Sequence, residues 1–281
     1  MTAILGTNDK SVMGQMARRG QTLRVRCFQR ADIWFSRLVR LMTALHEGFW
    51  LGGLTADDLN AITAARYGDS QYLASTEQNL SGFFSWETLV LERYFRPGSR
   101  VLVGAAGAGR ELLALHKNGF DADGFECCLP LVRASQEICD QLREPKSVSP
   151  CSPDRVPPGP ADYDGLILGW SAYSHIPTKM RRTAFLQAMR QRALPHSPVL
   201  VSFFTRGPSS RYEAVVHRTA IICSLVLRGR GPLELGDRLS LGHYSHSFTR
   251  DELEAEMTMA GFRVAYYFEL GERGHAVGIA E

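Results

Sequence analysis

Val101-Leu102-Val103-Gly104-Ala105-Ala106-Gly107-Ala108-Gly109-Arg110-Glu111 is the stretch on which the fold turns. A short β-branched run beginning at Arg100 meets Gly104, passes through a Gly/Ala turn and feeds a helix predicted over 111–118. Small residues at Gly104, Ala105, Gly107 and Gly109 let a ligand approach the backbone, and the N-terminus of the following helix offers unpaired N–H groups. Glu126 follows at the end of the next predicted strand, 17 residues after Gly109. An acid there can accept both ribose hydroxyls of an adenosine-containing ligand.

Outward from this turn the chain alternates. Strands are predicted at 122–126, 163–170 and 198–204, and helices at 129–142 and 178–193. Strands alternating with helices imply a parallel sheet with right-handed crossovers. Residues 144–162, rich in Pro and Ser, read as an irregular connection with room for a short strand. The C-terminus breaks the rhythm. Thr249 and Glu252 form a capping box for a helix over 250–260, which Gly261 ends. Two strands, 263–270 and 275–280, are joined by so short a link that they must form an antiparallel hairpin.

Before the turn the sequence reads as helical. Trp34, Leu38, Leu41, Met42 and Leu45 recur at helical spacing over 31–46, and Gly48, Gly52 and Gly53 are expected to end that helix. Thr55 with Asp58 opens a second helix. Residues 67–85 read as a loop with aromatic anchors at Tyr67, Tyr72, Phe83 and Phe84, and Ser85 caps a third helix stopped by Pro97-Gly98. The domain reading is therefore a loose leader over 1–22, a helical lid over 23–97 and an α/β domain over 98–281. Residues 205–248 form an insertion too long for an ordinary connection, expected to shape an acceptor pocket.

Which adenosine ligand is meant follows from what is missing. A G-x-G-x-x-G fingerprint starting at Gly107 would end at residue 112, and Leu112 is too bulky for the close packing its third glycine provides. The Walker A lysine is also absent. Taken together, the 101–111 turn, Glu126, the Tyr163-Asp164 strand opening and the terminal hairpin resemble the class I S-adenosylmethionine-dependent methyltransferases, over roughly residues 98–280. The resemblance implies a Rossmann-like, seven-stranded, mostly parallel sheet whose last strand is antiparallel. It also implies S-adenosylmethionine bound over the C-terminal strand ends and a methyl group passed to a nucleophile. Two positions depart from the family pattern: Val103 stands where an acid is usual, and Ala105 where a glycine is usual.

The resemblance carries cofactor-binding expectations onto Gly104, Ala105, Gly107, Gly109, Arg110, Glu126, Cys127, Asp154, Gly169 and Trp170, with Tyr72 reaching in from the lid. Asp154 is placed near the adenine amino group, and Trp170 and Tyr173 near the sulfonium, where an aromatic face attracts a cation. His175, Tyr173 and His243 are the candidate catalytic groups; a histidine base is well matched to neutral pH. His243 and His246 have no third partner at metal-ligand spacing, so no metal is expected. The expected acceptor is a small molecule of the kind met in specialised metabolism. Two rival functions stay open. One is an enzyme that transfers or cyclises the aminobutyryl arm of S-adenosylmethionine; the other is a non-catalytic S-adenosylmethionine-binding or interaction domain.

Composition bounds the rest. The 281 residues carry a net charge of +3, with 44% hydrophobic and 22% charged residues, so wholesale disorder, collagen and coiled coil are excluded. No apolar run nears the ~20 residues that cross a bilayer. Neither a signal peptide nor a disulfide framework is indicated, and a reducing cytoplasm is the default. Adjacent Cys127 and Cys128 read as packing residues. Arginines cluster over 18–40 against Asp32 alone, without the interleaved aromatics of an RNA-binding motif.

Overall fold

The computed structural model describes residues 22–144, 146–208, 210–227, 233–240 and 242–281. The leader therefore lies outside the described residues, apart from Thr22.

The chain from the Gly/Ala turn onward builds the sheet. Strands β1 (Arg100–Gly104), β2 (Asp121–Glu126), β3 (Ser149–Pro150), β4 (Gly165–Leu168) and β5 (Pro198–Thr205) run parallel in the order β3-β2-β1-β4-β5. Two further strands, β8 (Phe262–Leu270) and β9 (Arg273–Ala280), form the expected C-terminal hairpin. Strand β9 inserts antiparallel beside β5 over Pro198–Phe204. These are the seven strands the sequence implies. A second hairpin, β6 (Asp237–Ser240) and β7 (His243–Phe248), lies within the stretch expected only as an insertion. It attaches where β4 has stopped, with β7 joining β5 at Phe204 and Thr205.

Helices cover both faces, because strands buried on both sides are apolar throughout; β4 is Gly-Leu-Ile-Leu and fully buried. On one face, α8 (Lys179–Arg192) and α10 (Arg250–Met259) bring Leu186, Met189, Leu253 and Met257 against Leu166, Leu168 and Val201. On the other, α5 (Ser85–Tyr94) and α6 (Arg110–Lys117) bring Val90, Leu91, Leu112 and Leu115 against Val101, Val103 and Ile167. Helix α7 (Leu129–Leu142) follows β2. Phe95 packs on this second face, where a Cβ at Gly165 would come within 2.5 Å of its ring. A division at 97/98 would thus cut through one core: α5 belongs to the sheet layer, not to a separate cap.

The N-terminal helices differ from expectation in extent. Helix α1 spans Leu23–Gly53, so Gly48 and Gly52 continue it rather than end it, and Gly53 is its last residue. The reason is tertiary. Helix α9 (Arg211–Leu227) lies against α1 so closely that a Cβ at Gly48 would come within 2.6 Å of the Val216 carbonyl oxygen, and one at Gly52 within 2.3 Å of that of Ala220. Helix α2 (Ala56–Gly68) opens with the expected Thr55–Asp58 capping box. The presumed loop of 67–85 holds two single-turn helices, α3 (Gln71–Ala74) and α4 (Thr76–Asn79), started by Ser70 and Ser75. At α5 the cap is not Ser85, which is the first helical residue; the Glu87 carboxylate accepts from the Phe84 N–H at 2.7 Å.

Candidate active site

The chain's winding changes direction between β1 and β4, which stay paired to Gly104 and Leu168, and a crevice opens beyond their C-terminal ends. A cavity of about 440 Å³ fills it. Its floor comes from the Gly/Ala turn and the ends of β2 and β4; its roof comes from α2, α3 and α4.

The turn takes its shape from positive φ angles. Ala105 (φ 51°) and Gly107 (φ 56°) are both left-handed, and Gly109 (φ 104°) is the N-cap of α6. Ala105 departs from the family's usual glycine yet occupies the same class of backbone, at the strain an L-residue carries there. A Cβ built at Gly107 would meet nothing within 4 Å, because that direction is the cavity. Gly104 and Gly109 are different. Their hydrogens face Phe125 (2.9 Å to a Cβ) and Ser135 (3.2 Å), so they shape the turn from behind and do not line the cavity.

Glu126 closes the floor. Its Oε2 accepts from the Gly107 N–H at 3.0 Å, and its Oε1 accepts from the N–H groups of Cys127 and Cys128, each at 2.8 Å. These bonds pin the carboxylate at the cavity edge. Cys127 lines the cavity with a thiol that burial, reinforced by Glu126, pushes well above its ordinary pKa. Asp154, itself at φ 55°, accepts from Asn60 at 2.6 Å and from Arg181 at 3.1 Å. Burial nonetheless raises its pKa.

Arg110 lines the cavity, but its donors are spent elsewhere. Nη1 donates to the Gly82 carbonyl and Glu87, and Nη2 to Glu87 and Glu111, all at 2.7–2.8 Å. The guanidinium also lies 4.1 Å from the Phe84 ring centroid. It fastens the start of α6 to α5. Glu111 was not singled out in the sequence, yet it reaches the end of β4: a Cβ at Gly169 would lie 3.0 Å from its Oε1. Burial raises its pKa against the pull of Arg110. Val103, where the family carries an acid, is fully buried in the sheet core, so Glu111 is the carboxylate that the chain offers at this end.

The opposite wall is aromatic. Trp170 stands T-shaped to Phe84 at 5.5 Å, with the Arg273 guanidinium 5.5 Å from its own centroid. His175 lines the same wall. Its Nδ1 donates to the Tyr244 carbonyl at 2.7 Å, which leaves Nε2 as an acceptor, and the Tyr67 hydroxyl donates to it at 2.7 Å. Burial, with His243 adding to it, depresses His175 to about pKa 4, so the ring is neutral near pH 7. Burial likewise raises Tyr67 to about 12.

Three expectations change here. Tyr173 does not face the cavity; it is fully buried and donates to Glu256 at 2.5 Å beneath Phe248, because the 3₁₀ turn Ala172–His175 sends alternate side chains to opposite sides. His243 stands behind the wall, with ring centroids 5.3 Å from His175 and 6.1 Å from Tyr67. Among the described residues the 205–248 insertion does not line the cavity; it acts one layer back, through the Tyr244 carbonyl. Ala105, Gly107, Arg110, Glu126, Cys127, Asp154, Gly169, Trp170 and His175 do share the cavity, and Tyr72 joins them at its exposed rim. Tyr67 and Asn60 from α2, Glu111 from α6 and Arg273 from β9 also come to it, and only their contacts mark them.

No family model and no curated protein sequence matches the chain. Solved structures do. This is the Rossmann-like methyltransferase fold. A S-adenosylmethionine-dependent methyltransferase from Methanosarcina mazei is 14% identical, with a TM-score of 0.55 over 71% of this chain and 98% of its own. The 1,6-didemethyltoxoflavin-N1-methyltransferase of Burkholderia thailandensis, solved with 1,6-didemethyltoxoflavin and S-adenosylhomocysteine, is 15% identical, with a TM-score of 0.55 over 80% and 89%. An amino pentose methyltransferase of calicheamicin biosynthesis from Micromonospora echinaspora, solved with S-adenosylmethionine, is 16% identical, with a TM-score of 0.51 over 75% and 98%.

Proposed function

We propose that this chain is an S-adenosylmethionine-dependent methyltransferase acting on a small-molecule nucleophile. The observation that carries this reading is the Glu126 carboxylate bonded to the Gly107 N–H at the β1/β4 switch point, with the open side of Gly107 facing the cavity. A cavity of about 440 Å³ is within the ~300–1,000 Å³ that small ligands and cofactors occupy. The fold it sits in is shared with solved enzymes that hold this cofactor.

Glu126 keeps one acceptor position, on Oε2, for a ribose hydroxyl while its other three hold the turn. The Gly107 backbone gives the close approach, and Asp154 stands where an adenine amino group is recognised. Ala105, Gly169 and Glu111 take the methionine end, with Glu111 replacing the acid missing at Val103. The cofactor supplies a methyl group on a sulfonium, already activated for in-line displacement. The chain's own contribution is therefore alignment in a dry pocket. Trp170 and Phe204 wall that pocket, and α2, α3 and α4 cover it.

The Tyr67–His175 pair serves the acceptor. A neutral Nε2 already accepts from Tyr67, so a proton leaving the nucleophile passes to the Tyr67 oxygen as the Tyr67 proton passes to His175. His175 acts through Tyr67 and is a positioning and proton-holding residue.

The test is product identification. Purified protein is incubated with methyl-labelled S-adenosylmethionine and fractionated small-molecule extract. Label in a small molecule together with S-adenosylhomocysteine supports the reading. Methylthioadenosine would instead indicate transfer or cyclisation of the aminobutyryl arm. Calorimetric binding of S-adenosylhomocysteine without turnover of any fraction would indicate a binding domain.

A further inference from the structure

Helix α1 is 31 residues long, about 46 Å at 1.5 Å per residue, but only its last third is packed. Its buried residues are Ala44, Glu47, Gly48, Leu51 and Gly52. Every residue from Leu23 to Thr43 is exposed. Yet thirteen large apolar side chains of α1 are exposed, among them Trp34 at 73%, Phe28 at 69% and Phe35 at 66%. The outer side of α9 adds Ile222, Leu225 and Val226, at 62–77%. From these exposures the uncovered apolar surface is on the order of 2,000 Å², taking 150–250 Å² for each aromatic side chain and somewhat less for each aliphatic one. A monomer's largest apolar patch is about 300–600 Å².

The spacing says what kind of surface covers it. Cys27, Ala31, Trp34, Leu38, Leu41, Leu45, Gly48 and Gly52 follow one another at intervals of 4, 3, 4, 3, 4, 3 and 4 residues. That repeat is the seam of helix-on-helix packing, and a lipid interface has no need of it. At its C-terminal end the seam is in use: Gly48 and Gly52 seat α9. At its N-terminal end it has no partner among the described residues. Arg26 and Arg40 lie on the side away from the apolar arc, where they stay in water when the arc is covered, and Arg30 and Arg37 flank the seam one residue before Ala31 and Leu38.

We infer that α1 and α9 are a homodimerisation surface, in which the free two thirds of α1 pack against α1 and α9 of a second copy. A second copy provides both elements the surface needs: an apolar helix with the same repeat, and the outer side of α9. The area available exceeds the ~800 Å² per partner of a stable interface more than twofold. The active site lies on the other side of α2, and α1 contributes nothing to its lining, so this inference stands or falls separately from the methyltransferase reading.

The test is the solution mass of the full chain by light scattering after size exclusion at micromolar concentration. Twice the chain mass of 31.2 kDa is expected. The double variant Leu38→Glu, Leu41→Glu should run at the chain mass, its dimer dissociation constant raised more than roughly 100-fold, while its circular dichroism and cooperative thermal unfolding report that the fold is intact. The double variant Arg26→Glu, Arg40→Glu, on the side of α1 away from the apolar arc, should stay dimeric. A monomeric wild-type chain overturns the inference, and so does a dimer that survives Leu38→Glu, Leu41→Glu. A wild-type monomer that co-sediments with phosphatidylglycerol vesicles overturns it in favour of a membrane surface.

Discussion

Replacing Glu126 by alanine should produce two separable losses. The first is affinity. A carboxylate accepting from a ribose hydroxyl makes a charge-assisted bond worth ~1.5–3 kcal/mol, so the dissociation constant for S-adenosylhomocysteine should rise roughly 10–100-fold. The second loss follows from the three backbone N–H groups that Glu126 satisfies, at residues 107, 127 and 128. Glu126 is only 7% exposed, so those donors are left poorly hydrated when it is removed. Unsatisfied buried donors cost ~1–3 kcal/mol, which for a chain of this size lowers Tm by roughly 2–10 °C. Titration calorimetry with S-adenosylhomocysteine and scanning calorimetry of the same sample measure the two effects. Glu126→Gln makes a stricter test. The amide oxygen still accepts, but its NH₂ meets N–H donors, so affinity should fall nearly as far while the shape is kept. A folded Glu126→Ala protein with wild-type affinity would refute the assignment of this carboxylate to the ligand.

Gly107→Val should abolish S-adenosylhomocysteine binding, because its side chain would enter the cavity from a left-handed backbone; normal binding by calorimetry would reduce the turn to a structural role. Arg110→Met should destabilise the fold by about 3–5 kcal/mol in denaturant titration, since Glu87 and Glu111 would remain as buried carboxyls without their cation; a change below ~1 kcal/mol would show the triad to be dispensable. His175 is held below its unfolded value of 6.5, at about 4, so the unfolded chain binds its proton first as pH falls. Stability should therefore drop between about pH 6.5 and pH 4, by up to roughly 3 kcal/mol, and His175→Gln should flatten that part of the stability curve. Tyr67→Phe should lower turnover by about 100-fold or more at pH 7 with little change in S-adenosylhomocysteine affinity, whereas an equal loss of affinity would place Tyr67 at the cofactor instead.

The Gly/Ala turn, Glu126, the alternation of elements and the terminal hairpin were legible because each rests on local chemistry. A left-handed turn demands small residues. A strand end fixes where its last side chain sits. A four-residue link permits only an antiparallel return. The capping boxes at Thr55 and Thr249 were readable for the same reason. Where the sequence reading failed, a distant element had decided. Gly48 and Gly52 look like helix stops, but they are contact points for α9, some 170 residues away, and a glycine inside a helix costs only about 1 kcal/mol when close packing compensates it. Tyr173 and His175 are two residues apart, yet a single 3₁₀ turn buries one under Phe248 and opens the other to the cavity. Tyr67 pairs with His175 across 108 positions, and Glu111 stands in for the acid absent at Val103 only because α6 and the end of β4 meet. Backbone conformation is set by near neighbours and leaves a trace in the sequence. The partner of a buried polar side chain is chosen by how the layers stack, and one chain read alone holds no record of that.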